Sequence, residues 1–300
     1  MSERHDLIVI GTGITGLSAA KKALQDGLTT LVLETMFFGG LVTNVNELDG
    51  EITGSGSDFS AELMMEISKL GVKNVTAAAI AIERDGENLV VKSDAGLHAA
   101  RAVIIASGAR LKRLGVPGEA EFEDNGVSRC ADCDGPFYKG QDVVVVGGGD
   151  SALQEALVLA EYASEVNLLH RGDTFSARPH FADAIARHSN IKVHWRTQVE
   201  AVLGETAVRA VRVRNAEGQT SEIPCSGFFA YVGLEPVCDF APDMVLRDAG
   251  GFLQTDADLQ TGMAGVYAAG AVRSGYGGLL THAIAEGIAA ATAAGALIRA

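Results

Sequence analysis

A buried strand, a glycine-rich turn and a small-residue helix occur twice in this chain, and the repeat restricts it to folds built from two dinucleotide-binding modules. The first copy begins with Leu7-Ile8-Val9-Ile10, a continuously apolar run suited to a strand covered on both faces. Gly11-Thr12-Gly13-Ile14-Thr15-Gly16 and a helix from Leu17 to Leu24 follow. Glycines at these positions let the chain turn sharply, bring backbone N–H groups against a pyrophosphate and pack helix closely on strand. A second strand, Thr29 to Glu34, ends in a carboxylate that can accept hydrogen bonds from both ribose hydroxyls of an adenosine, as in FAD or NAD. The second copy runs Val143-Val144-Val145-Val146, Gly147-Gly148-Gly149-Asp150-Ser151-Ala152, a helix from Leu153 to Tyr162 and a strand from Val166 to Leu169. Gly11 to Glu34 and Gly147 to His170 both span 23 residues, so His170 takes the place of the acid. Histidine followed by Arg171 suits a 2′-phosphate, as in NADPH, rather than free hydroxyls.

At 300 residues the chain exceeds what one core ordinarily fills, so two domains are expected. Its 47% hydrophobic and 21% charged content is that of a compact globular protein. A net charge of −14 argues against nucleic acid or an anionic membrane surface as partner, since either needs a basic patch. Small molecules and protein thiols remain. The N-terminus is polar, and the longest apolar runs are broken by glycine and charge within a dozen residues. No secretory signal or membrane span is therefore expected, and the expected compartment is the cytoplasm.

Between the two modules lies Cys130-Ala131-Asp132-Cys133. This spacing serves half of a zinc site, a structural disulfide or a redox pair. Zinc needs two further ligands, and neither Cys225 nor Cys238 has a partner at ligand spacing, so no metal is expected and both read as packing residues. With only four cysteines in a reducing compartment, the close pair is the one expected to do redox chemistry.

Seven blocks occur in order over nearly the whole chain: Gly11 to Gly16, Gly39-Gly40, Val103 to Ala109, Leu114 to Gly118, Gly126 to Gly135, Val145 to Ala152 and Gly265 to Gly270. In these the chain resembles the low-molecular-weight thioredoxin reductases. The resemblance implies an α/β fold of two Rossmann-like three-layer dinucleotide-binding domains, the second inserted in the first. The FAD domain would comprise 1–114 and 238–300, and the NAD(P)-binding-like domain carrying the dithiol 115–237, with crossings near Gly115-Val116-Pro117-Gly118 and Gly233-Leu234-Glu235-Pro236. FAD would be held by Gly11, Thr12, Gly13, Ile14, Thr15, Gly16, Leu33 and Glu34. Gly39, Gly40, Leu41, Ala106, Ser107, Gly108, Ala109, Gly270, Ala271 and Leu279 would complete that site. The second nucleotide would meet Gly147, Gly149, Asp150, Ser151, Ala152, His170 and Arg171. The resemblance further implies that Cys133 is the thiol nearer the flavin, that Cys130 attacks the partner disulfide and that Asp134 transfers a proton. It also implies a homodimer and a rotating inserted domain. Two thiols at a helix start close a disulfide with little motion, and the helix amides favour the thiolate while Asp132 and Asp134 oppose it.

Two departures alter these expectations. The family pattern after the second module is His-Arg-Arg, three residues and a further Arg, whereas this chain has His170-Arg171-Gly172-Asp173-Thr174-Phe175-Ser176. Two phosphate-gripping arginines are absent, and at about 1.5–3 kcal/mol each their loss predicts NADPH binding weaker by about two orders of magnitude. Arg178 is the nearest replacement, and NADH finds no acid at the strand end. At the C-terminal flavin motif the family's Gly-Asp is Gly270-Ala271, and its Arg-Gln-Ala is Gly278-Leu279-Leu280. Losing one hydrogen bond to the ribityl chain costs about 1–3 kcal/mol and leaves FAD bound. Amides around Gly277-Gly278, ahead of a helix running toward Ile298, can approach the flavin, and His282 reads as packed or solvated.

The sequence thus predicts a FAD-dependent thiol-disulfide oxidoreductase moving two electrons between FAD and a partner disulfide through Cys130 and Cys133. The partner would be thioredoxin, a thioredoxin-like protein or a small dithiol/disulfide, and the donor NADPH, NADH, ferredoxin or a second flavin. Two alternatives stand beside it: a FAD-dependent dithiol oxidase using oxygen, and a non-enzymatic flavin-binding sensor protein.

Overall fold

A computed structural model describes residues 4–35, 38–45, 48 and 52–300. The chain divides into two compact units, Met1–Arg110 with Glu235–Ala300, and Leu111–Leu234. The crossings fall within two short strands, β7 (Ala109–Leu111) and β16 (Leu234–Pro236), a few residues ahead of the boundaries read from the sequence at 114/115 and 237/238.

The first unit is built on β1 (Arg4–Ile10), β2 (Thr30–Glu34), β3 (Lys73–Thr76), β6 (Gly96–Ile105) and β17 (Val266–Ala268). These are parallel in the order β3-β2-β1-β6, with β17 also beside β6. β4 (Ala79–Asp85) and β5 (Asn88–Ser93) extend β6 as an antiparallel meander. The apolar run in β1 has no polar alternation because both faces are covered: Leu7 and Val9 enter one core, Ile8 and Ile10 the other. One core is closed by α1 (Ile14–Gln25), α2 (Gly56–Lys69) and α6 (Leu280–Arg299). Ser55 caps α2 by accepting the Asp58 N–H. Against the expectation that every apolar run is broken within a dozen residues, α6 contains an 18-residue stretch of mean hydropathy 1.3, long and apolar enough by length and composition to cross a membrane, with 39% of that stretch buried. Glycine does not interrupt it, because Gly287 lies on the face turned to α1, where a Cβ would stand 2.3 Å from the Thr15 carbonyl oxygen.

The second unit is a parallel sheet of β8 (Val127–Ser128), β9 (Asp142–Gly147), β10 (Glu165–Leu169), β11 (Ile191–His194) and β15 (Gly227–Tyr231), in the order β11-β10-β9-β15-β8. An antiparallel sheet of β12 (Gln198–Gly204), β13 (Val208–Arg214) and β14 (Thr220–Pro224) packs on it through Val211, Val213 and Phe228. The helices are α3 (Ala131–Asp134), α4 (Asp150–Ala160) and α5 (Pro179–Arg187). α4 starts three residues earlier than the sequence suggested, because Gly149 takes the extended N-cap conformation and helix begins at once after it.

Candidate functional site

In the first unit the glycine turn is held by backbone crowding. A Cβ on Gly11, whose φ is +99°, would lie 2.4 Å from the Ala106 carbonyl oxygen, and one on Gly16 would lie 1.9 Å from that of Gly11. Gly39 donates its N–H to the Thr12 carbonyl at 2.7 Å, and a Cβ on Gly270 would collide with the Thr15 hydroxyl. The segments Gly11–Gly16, Gly39-Gly40, Ala106-Ser107 and Gly270 therefore converge on the start of α1. Ile14, Thr15 and Gly16 are buried in its first turn, Gly13 supplies no side-chain cap, and no acid is present there. Such a helix end presents amides and the positive pole of its dipole to an anion, which is what a pyrophosphate requires. Glu34, following Leu33 at the end of β2, accepts the Thr12 N–H at 2.8 Å and the Thr12 hydroxyl at 3.0 Å. A carboxylate beside the turn fits an adenosine ribose, so these residues fit FAD. Ser107 donates to the Val237 carbonyl, and the Gly108 carbonyl accepts the Val237 N–H, tying this segment to the returning chain as Ala109 enters β7. Leu41 is exposed in a 3₁₀ turn, Ala271 lies in another, and Leu279 is the exposed N-cap of α6.

In the second unit Cys130 and Cys133 form a disulfide, with Cα atoms 5.3 Å apart. Cys130 is the N-cap of α3, and its sulfur accepts the Cys133 N–H at 3.2 Å, a bond that favours a thiolate once the pair opens. Asp134 is half-buried, and its N–H donates to the Cys130 carbonyl. Glu155 on α4 accepts the Ala131 N–H at 3.0 Å and the Tyr231 hydroxyl at 3.3 Å, which places a carboxylate one residue from Cys130. Burial pushes the Glu155 carboxyl up to about 7; Asp132 adds to the rise, and the Ala131 and Tyr231 bonds oppose it. Cys225 is buried and pushed up to about 12 by that burial and by Asp142, so it stays a thiol. Cys238, also buried, donates to the Gly251 carbonyl. Among the described residues no cluster of three or more His, Cys, Asp and Glu is placed to hold a metal.

At the second glycine turn His170 does not project as a free ligand. Its Nδ1 lies 3.1 Å from the Gly147 carbonyl oxygen and its Nε2 2.9 Å from that of Thr174. The ring covers Gly148 so closely that a Cβ there would be 2.3 Å away. Arg178 is engaged elsewhere, giving its backbone N–H and its Nε to Asp150, both at 2.7 Å, while its guanidinium rests 5.1 Å from the Phe181 ring centre. Burial raises the Asp150 carboxyl, and the Arg178 bonds outweigh it, so the net shift is downward. Ser151 is exposed in the first turn of α4, Ala152 is buried behind it, and Arg171 is exposed beyond β10.

The model of the pyridine nucleotide-disulphide oxidoreductases matches residues 5–287. The chain belongs to this family. It is 35% identical over 303 aligned residues to a thioredoxin reductase of Treponema pallidum, covering 99% of this chain and 98% of that protein. Among solved structures, Lactococcus lactis thioredoxin reductase in its FR conformation superposes with a TM-score of 0.94 at 32% identity, covering 98% of this chain and 99% of the other. The thioredoxin reductase of T. acidophilum gives 0.91 at 28% identity, covering 98% of each. The protein is a flavin-dependent disulfide oxidoreductase of α/β fold.

Two features of this pyridine nucleotide-disulphide oxidoreductase had no local sequence signal. Glu286 accepts the Gly270 N–H at 2.7 Å and pairs with Arg273, both largely buried, so a carboxylate stands beside Gly270 although Ala271 has lost its own. Glu155 reaches the dithiol helix across 24 residues of sequence, and only the packing of α3 on α4 reveals the contact.

Proposed function

We propose that this protein uses FAD to reduce the disulfide of thioredoxin or a thioredoxin-like protein, with a nicotinamide nucleotide at the Gly147–Ala152 turn as donor. The observation that carries the reading is the Cys130–Cys133 disulfide at the N-terminus of α3, in the same unit as the second glycine turn. FAD, when bound, supplies the two-electron store that opens this disulfide. The Cys130 thiolate then attacks one sulfur of the partner disulfide and expels the other as a thiolate, leaving a mixed disulfide. Cys133 attacks Cys130 Sγ, releases the second partner thiolate and recloses the pair, so the partner gains two electrons and two protons. Asp134, close in the chain to both sulfurs, is assigned the proton transfer. Phe137, 75% exposed just beyond α3, gives a protein partner an apolar foothold that a small disulfide would not need.

Replacing Cys133 by Ser should abolish steady-state reduction of oxidised thioredoxin, followed by thiol titration, and trap the partner on Cys130. Turnover at the parent rate would overturn the assignment.

A further inference from the structure

The second unit holds a cavity of about 500 Å³ whose lining includes Arg171, Gly172, Asp173, Arg196, Gln198 and Arg214. It opens where the chain leaves β10, the place where a strand–turn–helix–strand module meets the adenosine ribose, and where a nearby arginine selects a 2′-phosphate. The three arginines come from separate elements: Arg171 from the end of β10, Arg196 from the turn between β11 and β12, Arg214 from the end of β13. Arg196 is held in place by its backbone, with φ at +49° and its N–H donated to the Gly172 carbonyl at 2.9 Å. One guanidinium N–H of Arg196 goes to Asp173 at 3.0 Å, and the Arg214 guanidinium pairs with the Glu200 carboxylate at 3.0 Å. Each guanidinium has five N–H donors, so both retain most of them for an anion, and these carboxylates fix their direction. Arg171 is exposed beyond the end of β10. Trp195, the chain's single tryptophan, precedes Arg196, packs 4.4 Å from Phe175 and is 40% exposed. Its indole packs against Phe175 and His170 and is adjacent in the chain to Arg196, so its fluorescence can report on what binds in the cavity.

We propose that Arg171, Arg196 and Arg214 form a phosphate site for an adenine nucleotide carrying a 2′-phosphate, taking over the role left vacant at Gly172 and Ser176. The inference rests on the reading of this unit as the nicotinamide nucleotide domain. It adds Arg196 and Arg214, from the β11–β13 segment, to Arg171 in the loop after β10, and it gives Arg178 no part.

The FAD-loaded protein is titrated with adenosine 2′,5′-bisphosphate, adenosine 5′-monophosphate and inorganic phosphate, followed by Trp195 fluorescence and by calorimetry. The bisphosphate is expected to saturate the protein with an affinity at least about tenfold above that of the monophosphate and of phosphate. Arg196→Gln and Arg214→Gln should each weaken the bisphosphate about tenfold or more while leaving the monophosphate and the FAD content unchanged. Arg178→Ala should change neither. Equal affinities for the two nucleotides, phosphate binding as tightly as the bisphosphate, or bisphosphate affinity untouched by both glutamine variants would overturn the proposal. Failure here with thioredoxin reduction intact removes this inference alone. Intact bisphosphate binding with an active Cys133→Ser enzyme removes the disulfide mechanism alone.

Discussion

Glu155 is where a single residue carries a measurable pH signature. Its carboxyl sits at about 7 in the folded protein instead of the ordinary 4.5, so the folded state holds the proton more tightly than the unfolded chain does. No penalty exists below about 4.5, where both states are protonated; it grows between 4.5 and 7 and is complete above 7, on the order of 3 kcal/mol. Glu155→Gln keeps an acceptor for Ala131 and Tyr231 and removes the charge. Its thermal midpoint should exceed the parent's at pH 8 and match it near pH 4.5, whereas an equal shift at both would mean that charge is not the cause. Glu34 gives a second residue-scale expectation. Truncating it to Ala removes the acceptor for the Thr12 N–H and hydroxyl, so the purified protein should carry less FAD per chain by absorbance, with affinity lower about tenfold or more. Full flavin content would show that the carboxylate does not hold the cofactor. Glu34 was legible because the acid follows its glycine turn at a set spacing. Glu155, Glu286 and Arg196 were not, since their partners are brought to them by packing.

At the scale of elements, continuous apolar runs translated into strands because both sheet faces are covered, and the glycine turns into helix starts because only glycine fits there. The contact of α1 with α6 joins two ends of the chain and could not be read from either. A Cβ on Gly287 would stand 2.3 Å from the Thr15 oxygen, so Gly287→Ala must push the helices apart. A cost of about 1–3 kcal/mol is expected, read as a fall in melting temperature of at least about 2 °C. An unchanged melting temperature would mean that the helices pack less closely than described. The dithiol helix α3 is a single turn, too short to show a helical pattern of its own, and the helix start expected at the thiols is found with Cys130 as its N-cap.

For the whole molecule, the division of the chain makes the two units unequal. The second is continuous from Leu111 to Leu234 and owns two buried clusters, one around Val145 and Phe229 and one around Val144 and Phe228. Residues 111–234 should therefore fold alone, with a cooperative thermal transition by circular dichroism and no bound flavin, and a featureless melt would contradict this. Residues 1–110 alone lack β17 and α6, whose Tyr267, Ala290 and Ala294 complete the first core, and should not retain FAD. The sequence by itself determined the two nucleotide modules, the dithiol and the family. Those signals are local: glycine at a crowded turn, an acid or histidine at a set distance, two cysteines one helical turn apart. Only the tertiary structure decided which charges face which site. Arg178, four residues past Thr174, turns to Asp150, while Arg196 and Arg214, far along the chain, come together with Arg171, because strand order and not sequence distance sets which side chains share a cavity.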